Sequence, residues 1–314
     1  MKRLLFAALV PLGALAGSST ASAHAICGSR FFPVTLTLDD PGVADEASIP
    51  SFTYLNNAAS GSHEYDFNFE WDKRITPEFG FAINYGWNVY QTNHAPTTTG
   101  WENLVVTAKY AKCVSEDHEL ILAAGVQREF GRTGTISTGA DNYGSTAPTV
   151  YFGKGLGDLP VPYLRPIAIT GELSYTVADV GLKATQVTNP ITGLMTQQFN
   201  SGTSNQWFGA VSIQYSLPYL QSQVKDLGLP GWLGRMIPVV EISATSPATK
   251  PNVTPTTWTI APGAIYVSNW YQIGVELLIP ANKAAGSNVG LIALFHVYLD
   301  DLLPNSVLGR PLFP

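Results

Sequence analysis

Residues 64–72, EYDFNFEWD, alternate between two kinds of side chain. The odd positions Tyr65, Phe67, Phe69 and Trp71 are aromatic, and the even positions are acids and one amide. Successive side chains of a β-strand point to opposite faces, so this stretch predicts a strand with an aromatic face and an acidic face. The fold depends on which solvent contacts each face.

The same alternation recurs along the chain in runs of about 9 to 13 residues. Ordinary strands average about 5 or 6 residues, whereas a strand tilted across a bilayer needs about 9 to 11. Length and alternation together predict an all-β fold, a transmembrane antiparallel β-barrel. A soluble β-sandwich is the alternative, but its strands would be shorter and its outer face richer in charge. The runs lie at 64–72, 79–89, 103–110, 119–129, 167–177, 207–217, 271–279 and 290–300, and further strands are predicted at 148–156, 237–245 and 257–267.

Composition favours a membrane-embedded surface. Charged residues make up 13% of the chain and aromatic residues 11%. A soluble domain carries about 25% charged residues, so this chain lacks the charge to cover itself in water. The net charge of −6 argues against a nucleic-acid partner.

The first residues predict export. Lys2 and Arg3 precede an apolar run that ends near Ala21-Ser22-Ala23, a pattern typical of a cleaved secretory signal over residues 1–23. Residues 24–314 are then a single barrel domain with a short C-terminal tail. We expect it in the bacterial outer membrane, with lipid around it and the outer-membrane assembly machinery as its partner during biogenesis.

The connections predict the topology. Residues 72–78 and 113–118 form short turns, expected in the periplasm, while long loops at 39–62, 131–146 and 178–204 are expected outside the cell. Periplasmic N- and C-termini then require one more strand before residue 64, and Val34–Leu38 is the only candidate, which gives about twelve strands. Segment 217–238 is long for the turn side and is interpreted as an interfacial helix or a small plug.

Three stretches resemble a family. They are FFPVTLTLDDPGVADEASIPSF (31–52), APGAIYVSNWYQIGVELLIPANKAAGSNVG (261–290) and LFHVYLDDLLP (294–304). Together they resemble proteobacterial outer-membrane barrels of the phenol-degradation meta-pathway transporter type. The resemblance implies a mid-sized barrel that passes small, often aromatic solutes, and it carries no catalytic motif.

The lumen-facing parity of the strands collects carboxylates. Rings of carboxylates favour cations in a pore, but interior carboxylates also pair with Tyr, Asn and Lys to hold a barrel rigid, and both interpretations stay open. His296 is interpreted as a packed polar residue of the lumen. The predicted pore-lining residues are Asp66, Glu70, Lys109, Glu129, Glu172, Glu241, Glu276, His296 and Asp300.

No enzyme motif stands out. The histidines lie in no H-x-S arrangement and G-x-S-x-G is absent, so we predict a non-enzyme without a cofactor. His118, in the turn EDHE, matches no standard metal spacing. Cys27 and Cys113 both fall on the periplasmic side of the topology, and we predict a disulfide between them.

The predicted function is an outer-membrane channel or transporter for a small, aromatic or apolar solute. The alternative is a non-conducting structural or adhesive barrel that acts through its long external loops.

Overall fold

The computed structural model describes residues 25–57, 61–93, 95–188, 190, 192, 194–200, 202–249 and 255–313. The predicted signal, residues 1–23, lies outside the described residues. Twelve antiparallel strands form a closed barrel, in which the last strand pairs with the first. This confirms the predicted fold class. The strands are β1 Glu46–Asn57, β2 Ser62–Arg74, β3 Phe79–Thr92, β4 Leu104–Ser115, β5 Leu120–Phe130, β6 Ser145–Gly155, β7 Ile167–Ala178, β8 Gln206–Tyr215, β9 Met236–Pro247, β10 Thr257–Val267, β11 Tyr271–Pro280 and β12 Gly290–Tyr298.

Alternation along each strand separates the two faces of the wall. In β2, Phe69 and Trp71 are exposed on the outside, while Asn68 and Glu70 line a cavity inside. Similar exposed apolar side chains, such as Val150, cover the outside of the other strands. The aromatic face of residues 64–72 is therefore the outer face, and the acidic face borders the lumen.

The first strand is not where the sequence places it. Residues 34–38 form no strand, and 39–45 are not an external loop; both run inside the barrel, so these two predictions are wrong. Five residues are too short to cross a bilayer, which takes about 9 to 11. The strand before residue 64 is β1, residues 46–57, and the count of twelve is reached with this different member.

A bulge hides β1 in the sequence. The pairing of β1 with β2 shifts register between Ser48 and Ser51. Ser48 and Ser51 nevertheless both line the central cavity, so the inward positions are even before the bulge and odd after it. A bulge inserts extra residues into one strand, and a fixed period of two cannot detect a strand that changes parity.

The connections differ between the two ends of the barrel. At the end where β1 begins and β12 ends, called the terminal end, most are short: 75–78, 116–119, 156–166, 216–235 and 268–270. The opposite end, called the loop end, carries 58–61, 93–103, 131–144, 179–205, 248–256 and 281–289. Three short strands lie within these loops, Thr98–Trp101 beside β3 and the hairpin of Ala184–Thr188 with Met195–Phe199.

Short helices lie mainly at the terminal end. Segment 217–238 begins with the helical turns Leu217–Tyr219 and Leu220–Val224, and a further turn, Leu233–Arg235, precedes β9. After β12 come the turns Leu299–Leu302 and Val307–Gly309. The remaining turns are Ile136–Thr138, Pro162–Leu164 and Lys283–Ala285. No helix in the described part of the chain has both the length and the apolar character needed to cross a membrane.

Candidate functional site: the barrel lumen

An N-terminal segment occupies the middle of the lumen. Residues 25–45, called the inner segment, precede β1 and pack against the inward faces of the strands. Beside residues 34–39 is a cavity of about 380 Å³. Its wall combines carboxylates, amides and hydroxyls with several apolar side chains, among them Glu70, Glu172, Asn68, Asn84, Gln127, Tyr151, Phe208 and Leu294. The lumen is therefore partly filled, and the space that remains has a polar and an apolar component.

Two predicted pore-lining carboxylates hold the inner segment. Glu241, which is fully buried, accepts hydrogen bonds from the backbone N–H of Thr37 at 2.7 Å, the Thr37 hydroxyl, and the N–H of Leu36 at 3.4 Å. Glu172 accepts the backbone N–H of Asp39 at 3.1 Å. Hydrogen bonds to ionised acceptors are the stronger kind, so these carboxylates act as anchors for the inner segment.

Lys109 is the cation of this region. Its Nζ lies 2.7 Å from Asp39 Oδ2, donates to the carbonyl of Asp40 at 3.1 Å, and sits 4.9 Å from the centre of the Tyr151 ring. Lys109 is 8% exposed. Its charge therefore compensates the acidic Asp39-Asp40 pair that enters the lumen with the inner segment, and this was not predicted for it.

The other predicted carboxylates occupy different depths. Glu70 borders the cavity and accepts a hydrogen bond from Asn84 at 3.0 Å. Glu276 is 1% exposed and lies beside Glu241 under the inner segment, away from open space. Asp66 and Glu129 lie nearer the loop end, where Glu129 accepts hydrogen bonds from Asn103 and Ser145, both at 2.8 Å.

His296 closes the seam between β1 and β12. Its Nδ1 is 3.0 Å from the Ser48 hydroxyl, and its Nε2 lies 3.1 Å from Glu46 Oε2. All three side chains are buried, with His296 completely inaccessible. A serine, a histidine and an acid thus meet, but no atom of the histidine reaches solvent, and the cluster serves to join the two strands. Ser48 and Glu46 were missed because the parity change in β1 conceals them.

Asp300 lies outside the lumen wall. β12 ends at Tyr298, and Asp300 belongs to the following helical turn, with its Oδ2 3.7 Å from Arg74 Nη2 at the terminal end. The predicted strand runs two residues too far because the alternation continues past its end. Burial, together with the nearby Asp301 and Asp45 charges, raises the pKa of the Asp300 carboxyl to about 7, and Arg74 opposes this rise.

The terminal end is closed by cross-links around the inner segment. Cys27 lies in a small hairpin formed by Ile26–Cys27 and Arg30–Phe31. A disulfide joins it to Cys113 of β4, with the two Cα atoms 5.3 Å apart. Arg30 donates to Glu119 at 3.0 Å and stacks 3.7 Å from the centre of the Tyr219 ring. Segment 217–238 thus packs against the inner segment through Tyr219, while its Trp232 is 64% exposed.

Comparisons with known proteins find similarity of structure only. No family model matches the sequence, and no curated protein is significantly similar to it. The barrel is similar to the crystal structure of the COG4313 outer membrane channel from Pseudomonas putida F1, with a TM-score of 0.55, 12% identity, and coverage of 85% of this chain and 99% of that one.

Two porins are more distantly similar. The NanC porin gives a TM-score of 0.44 at 11% identity, and the KdgM porin 0.43 at 12%; each match covers 79% of this chain and 98% of the porin. At 12% identity, the similarity of this chain to the outer membrane channel supports the barrel fold alone. The similarity to the two porins is too low to support any conclusion.

Proposed function

We propose that the chain is a bacterial outer-membrane channel for a small solute. One observation carries this: a closed barrel with an apolar outer face encloses a cavity of about 380 Å³ on one side of the inner segment. An outer face of this kind is stable in hydrocarbon, since the backbone of a closed barrel leaves no unpaired edge. The terminal end faces the periplasm in this proposal, because long loops belong to the external side.

The cavity suggests the class of solute. Tyr151, Phe208 and Leu294 offer apolar contact, while Glu70 and Glu172 disfavour an anion. A small aromatic or apolar solute without negative charge fits this lining. The resemblance to transporters of the phenol-degradation meta-pathway type agrees with that choice. The inner segment limits passage, so transport requires it to shift relative to Glu172 and Glu241.

Uptake by proteoliposomes tests the proposal. Purified protein in liposomes should speed the entry of a neutral aromatic solute of about the size of phenol, compared with protein-free liposomes. The increase should be smaller for an anionic aromatic solute of the same size. Planar bilayers should show stepwise conductance. The alternative is a structural or adhesive barrel acting through loops such as 179–205, and the observation in its favour is that the inner segment occupies part of the lumen. Absence of both conductance and uptake would support that alternative.

A further inference from the structure

Four oxygen-bearing side chains are neighbours on the lumen wall near the loop end. Asp66 and Asn68 belong to β2, Asn88 to β3, and Glu102 to the connection between β3 and β4. We call Asp66, Asn68, Asn88 and Glu102 the oxygen cluster. The first three follow the lumen-facing parity of their strands, and Asn68 also borders the central cavity. The cluster therefore opens toward the space through which a solute would move.

The strand register brings these side chains together. Asp66 is directly opposite Asn88, and Asn68 is directly opposite Gly86. Side chains opposite one another in an antiparallel pair have Cβ atoms about 4.5–5.5 Å apart. Glu102 folds over Gly86, where a Cβ atom would lie only 2.1 Å from Glu102 Oε2, so the glycine makes room for this carboxylate. Glu102 Oε1 accepts a hydrogen bond from Asn88 Nδ2 at 3.0 Å.

Three oxygens of the cluster have no hydrogen-bond donor. Oδ1 of Asp66, of Asn68 and of Asn88 are buried and accept no hydrogen bond from the described residues. Asn88 is 5% exposed, and its amide nitrogen is already used by Glu102, which fixes the orientation of its carbonyl oxygen. A buried acceptor without a donor destabilises the folded protein, so a ligand that contacts all three oxygens would recover that loss.

In the described part of the chain, the charges that act on the carboxylates of the cluster are all negative. The charges that act on Asp66 are those of Glu64 and Glu102, and those that act on Glu102 are Glu64 and Glu129. Lys109, the cation of the central lumen, is bound to Asp39 and Asp40. The cluster thus combines negative charge with unused oxygen lone pairs.

We propose that the oxygen cluster binds one divalent cation of the calcium class. Calcium takes 6–8 oxygen ligands in a flexible arrangement, drawn from carboxylates, amide carbonyls and water. The cluster supplies two carboxylates and two amide oxygens, and water from the lumen completes the shell. Magnesium fits less well because it demands near-ideal octahedral geometry and keeps most of its own water. The described residues contain no group of three or more His, Cys, Asp and Glu able to hold a metal, so this site depends on the amides.

An organic ammonium is the competing ligand. Its N–H groups would donate hydrogen bonds to the same oxygens. Its single positive charge, however, would neutralise only one of the two carboxylates, and the negative charge of the other would remain. A divalent cation neutralises Asp66 and Glu102 together. The proposal concerns binding and does not depend on transport, so it stands or falls apart from the proposed function.

Calcium titration of the full mature chain tests the site. Protein in a non-ionic detergent is treated with chelator, and calcium is then added in a calorimeter. A second readout uses Tb³⁺, whose luminescence is sensitised by nearby tryptophan, since Trp87 and Trp101 adjoin Asn88 and Glu102 in the chain. We expect one site per chain, with affinity reduced about tenfold or more in the double variant D66N/E102Q, which corresponds to a loss of at least about 1.4 kcal/mol.

One control variant, E129Q, and one ligand variant, N68A, separate ligation from general electrostatic attraction. E129Q neutralises another carboxylate at the loop end, whose oxygens already accept hydrogen bonds from Asn103 and Ser145. This variant should leave the calcium affinity within about threefold of the wild type. N68A removes an oxygen without changing charge and should weaken binding. All variants are first checked for the heat-sensitive gel migration of a folded barrel.

Three results would overturn the site. They are calcium binding unchanged in D66N/E102Q, equal weakening by E129Q, or no effect of N68A. Binding of an alkylammonium such as butylammonium at this cluster, without binding of calcium, would likewise refute the proposal and assign the ammonium ligand instead.

Discussion

Asp45 shows how a single buried charge is compensated at the terminal end. It is fully buried, and its carboxylate lies 2.5 Å from Lys73 Nζ and 2.8 Å from Arg74 Nε, while it also accepts the Arg74 backbone N–H at 2.9 Å. Lys73 and Arg74 end β2, so this one side chain fixes the start of β1 against the end of its neighbour.

Substitution of Asp45 should be costly. In D45N two cations stay buried beside a neutral amide, and removal of one partner from a buried ion pair costs about 3–5 kcal/mol. We expect a lower urea midpoint for the barrel in detergent, measured by heat-sensitive gel migration. E78Q is the control, because Glu78 pairs with Lys112 at the surface and should change the midpoint little. Equal midpoints for D45N and the wild type would contradict this role.

The titration of Asp300 should make stability depend on pH. Its pKa is raised from 3.8 in the free side chain to about 7 in the folded protein, mainly by burial. The folded state therefore holds the proton more tightly, so this group favours folding at low pH and loses that contribution as pH rises through its folded pKa. Between about pH 4 and pH 8 the wild type should lose stability relative to D300N, which does not titrate there. Urea midpoints at several pH values measure this, and parallel curves would contradict it.

At the scale of elements, the inner segment is held by a few polar contacts. Glu241 and Glu172 accept its backbone N–H groups, and Gln272 donates to the carbonyl of Val34 at 2.7 Å. Apolar packing adds Phe31 and Leu36 against Ile237, Val239 and Ile265. Because the anchors are side chains of different strands, we expect that weakening one of them loosens the segment without opening the barrel wall.

E241Q should loosen the inner segment. A neutral amide replaces the carboxylate that accepts from Leu36 and Thr37, and a hydrogen bond to a charged acceptor contributes about 1.5–3 kcal/mol. We expect a higher mean conductance and faster proteolysis within residues 34–40. E116Q, an exposed acid in the turn after β4, is the matched control and should behave as the wild type. Unchanged conductance and proteolysis in E241Q would refute the anchor.

The disulfide should restrict where the inner segment can move. Cys27 and Cys113 are separated by 86 residues, and closing a loop of that size stabilises by about 4.5 kcal/mol in the chain-entropy model. In freshly isolated, denatured protein we expect no alkylation of either cysteine until a reductant is added, as read by mass spectrometry. Immediate alkylation of both thiols would contradict the pairing. C27S/C113S should unfold at lower urea concentration.

For the whole molecule, the inward charge is predominantly negative. Glu70, Glu172, Glu241 and Glu276 share the lumen with Lys109 as their buried cation near the cavity. Part of this charge is used to hold the inner segment, and part borders open space. We propose that the two roles considered for the lumen carboxylates, polar pairing inside the barrel and preference for cations, belong to different residues of one wall.

Ion selectivity should follow the carboxylates that border the cavity. In a salt gradient across a planar bilayer we expect the reversal potential of the wild type to indicate cation preference. E70Q should reduce that preference, since Glu70 borders the cavity, whereas E116Q, in an exposed turn at the terminal end, should not. A wild-type channel selective for anions, or a reversal potential unaffected by E70Q, would contradict the assignment.

The alternation of the sequence predicted most of the wall and little of its interior. Runs such as 64–72 and 167–177 show their two faces directly, because the parity does not change along the strand. All side chains of one parity face outward, and all those of the other face the lumen. β1 escaped because its parity changes at the bulge between Ser48 and Ser51. Val34–Leu38 misled because it alternates like a strand, although it lies among lumen side chains.

By itself the sequence determined the closed sheet, its two faces and the pair of cysteines as candidates for a bond. These follow from local rules, since a period of two and the choice between lipid and water act on each strand separately. Only the tertiary structure decided what fills the lumen, which acids hold the inner segment, and which oxygens of the cluster lack donors. Those facts arise between residues far apart in the chain, such as Thr37 and Glu241, whose approach no local pattern encodes.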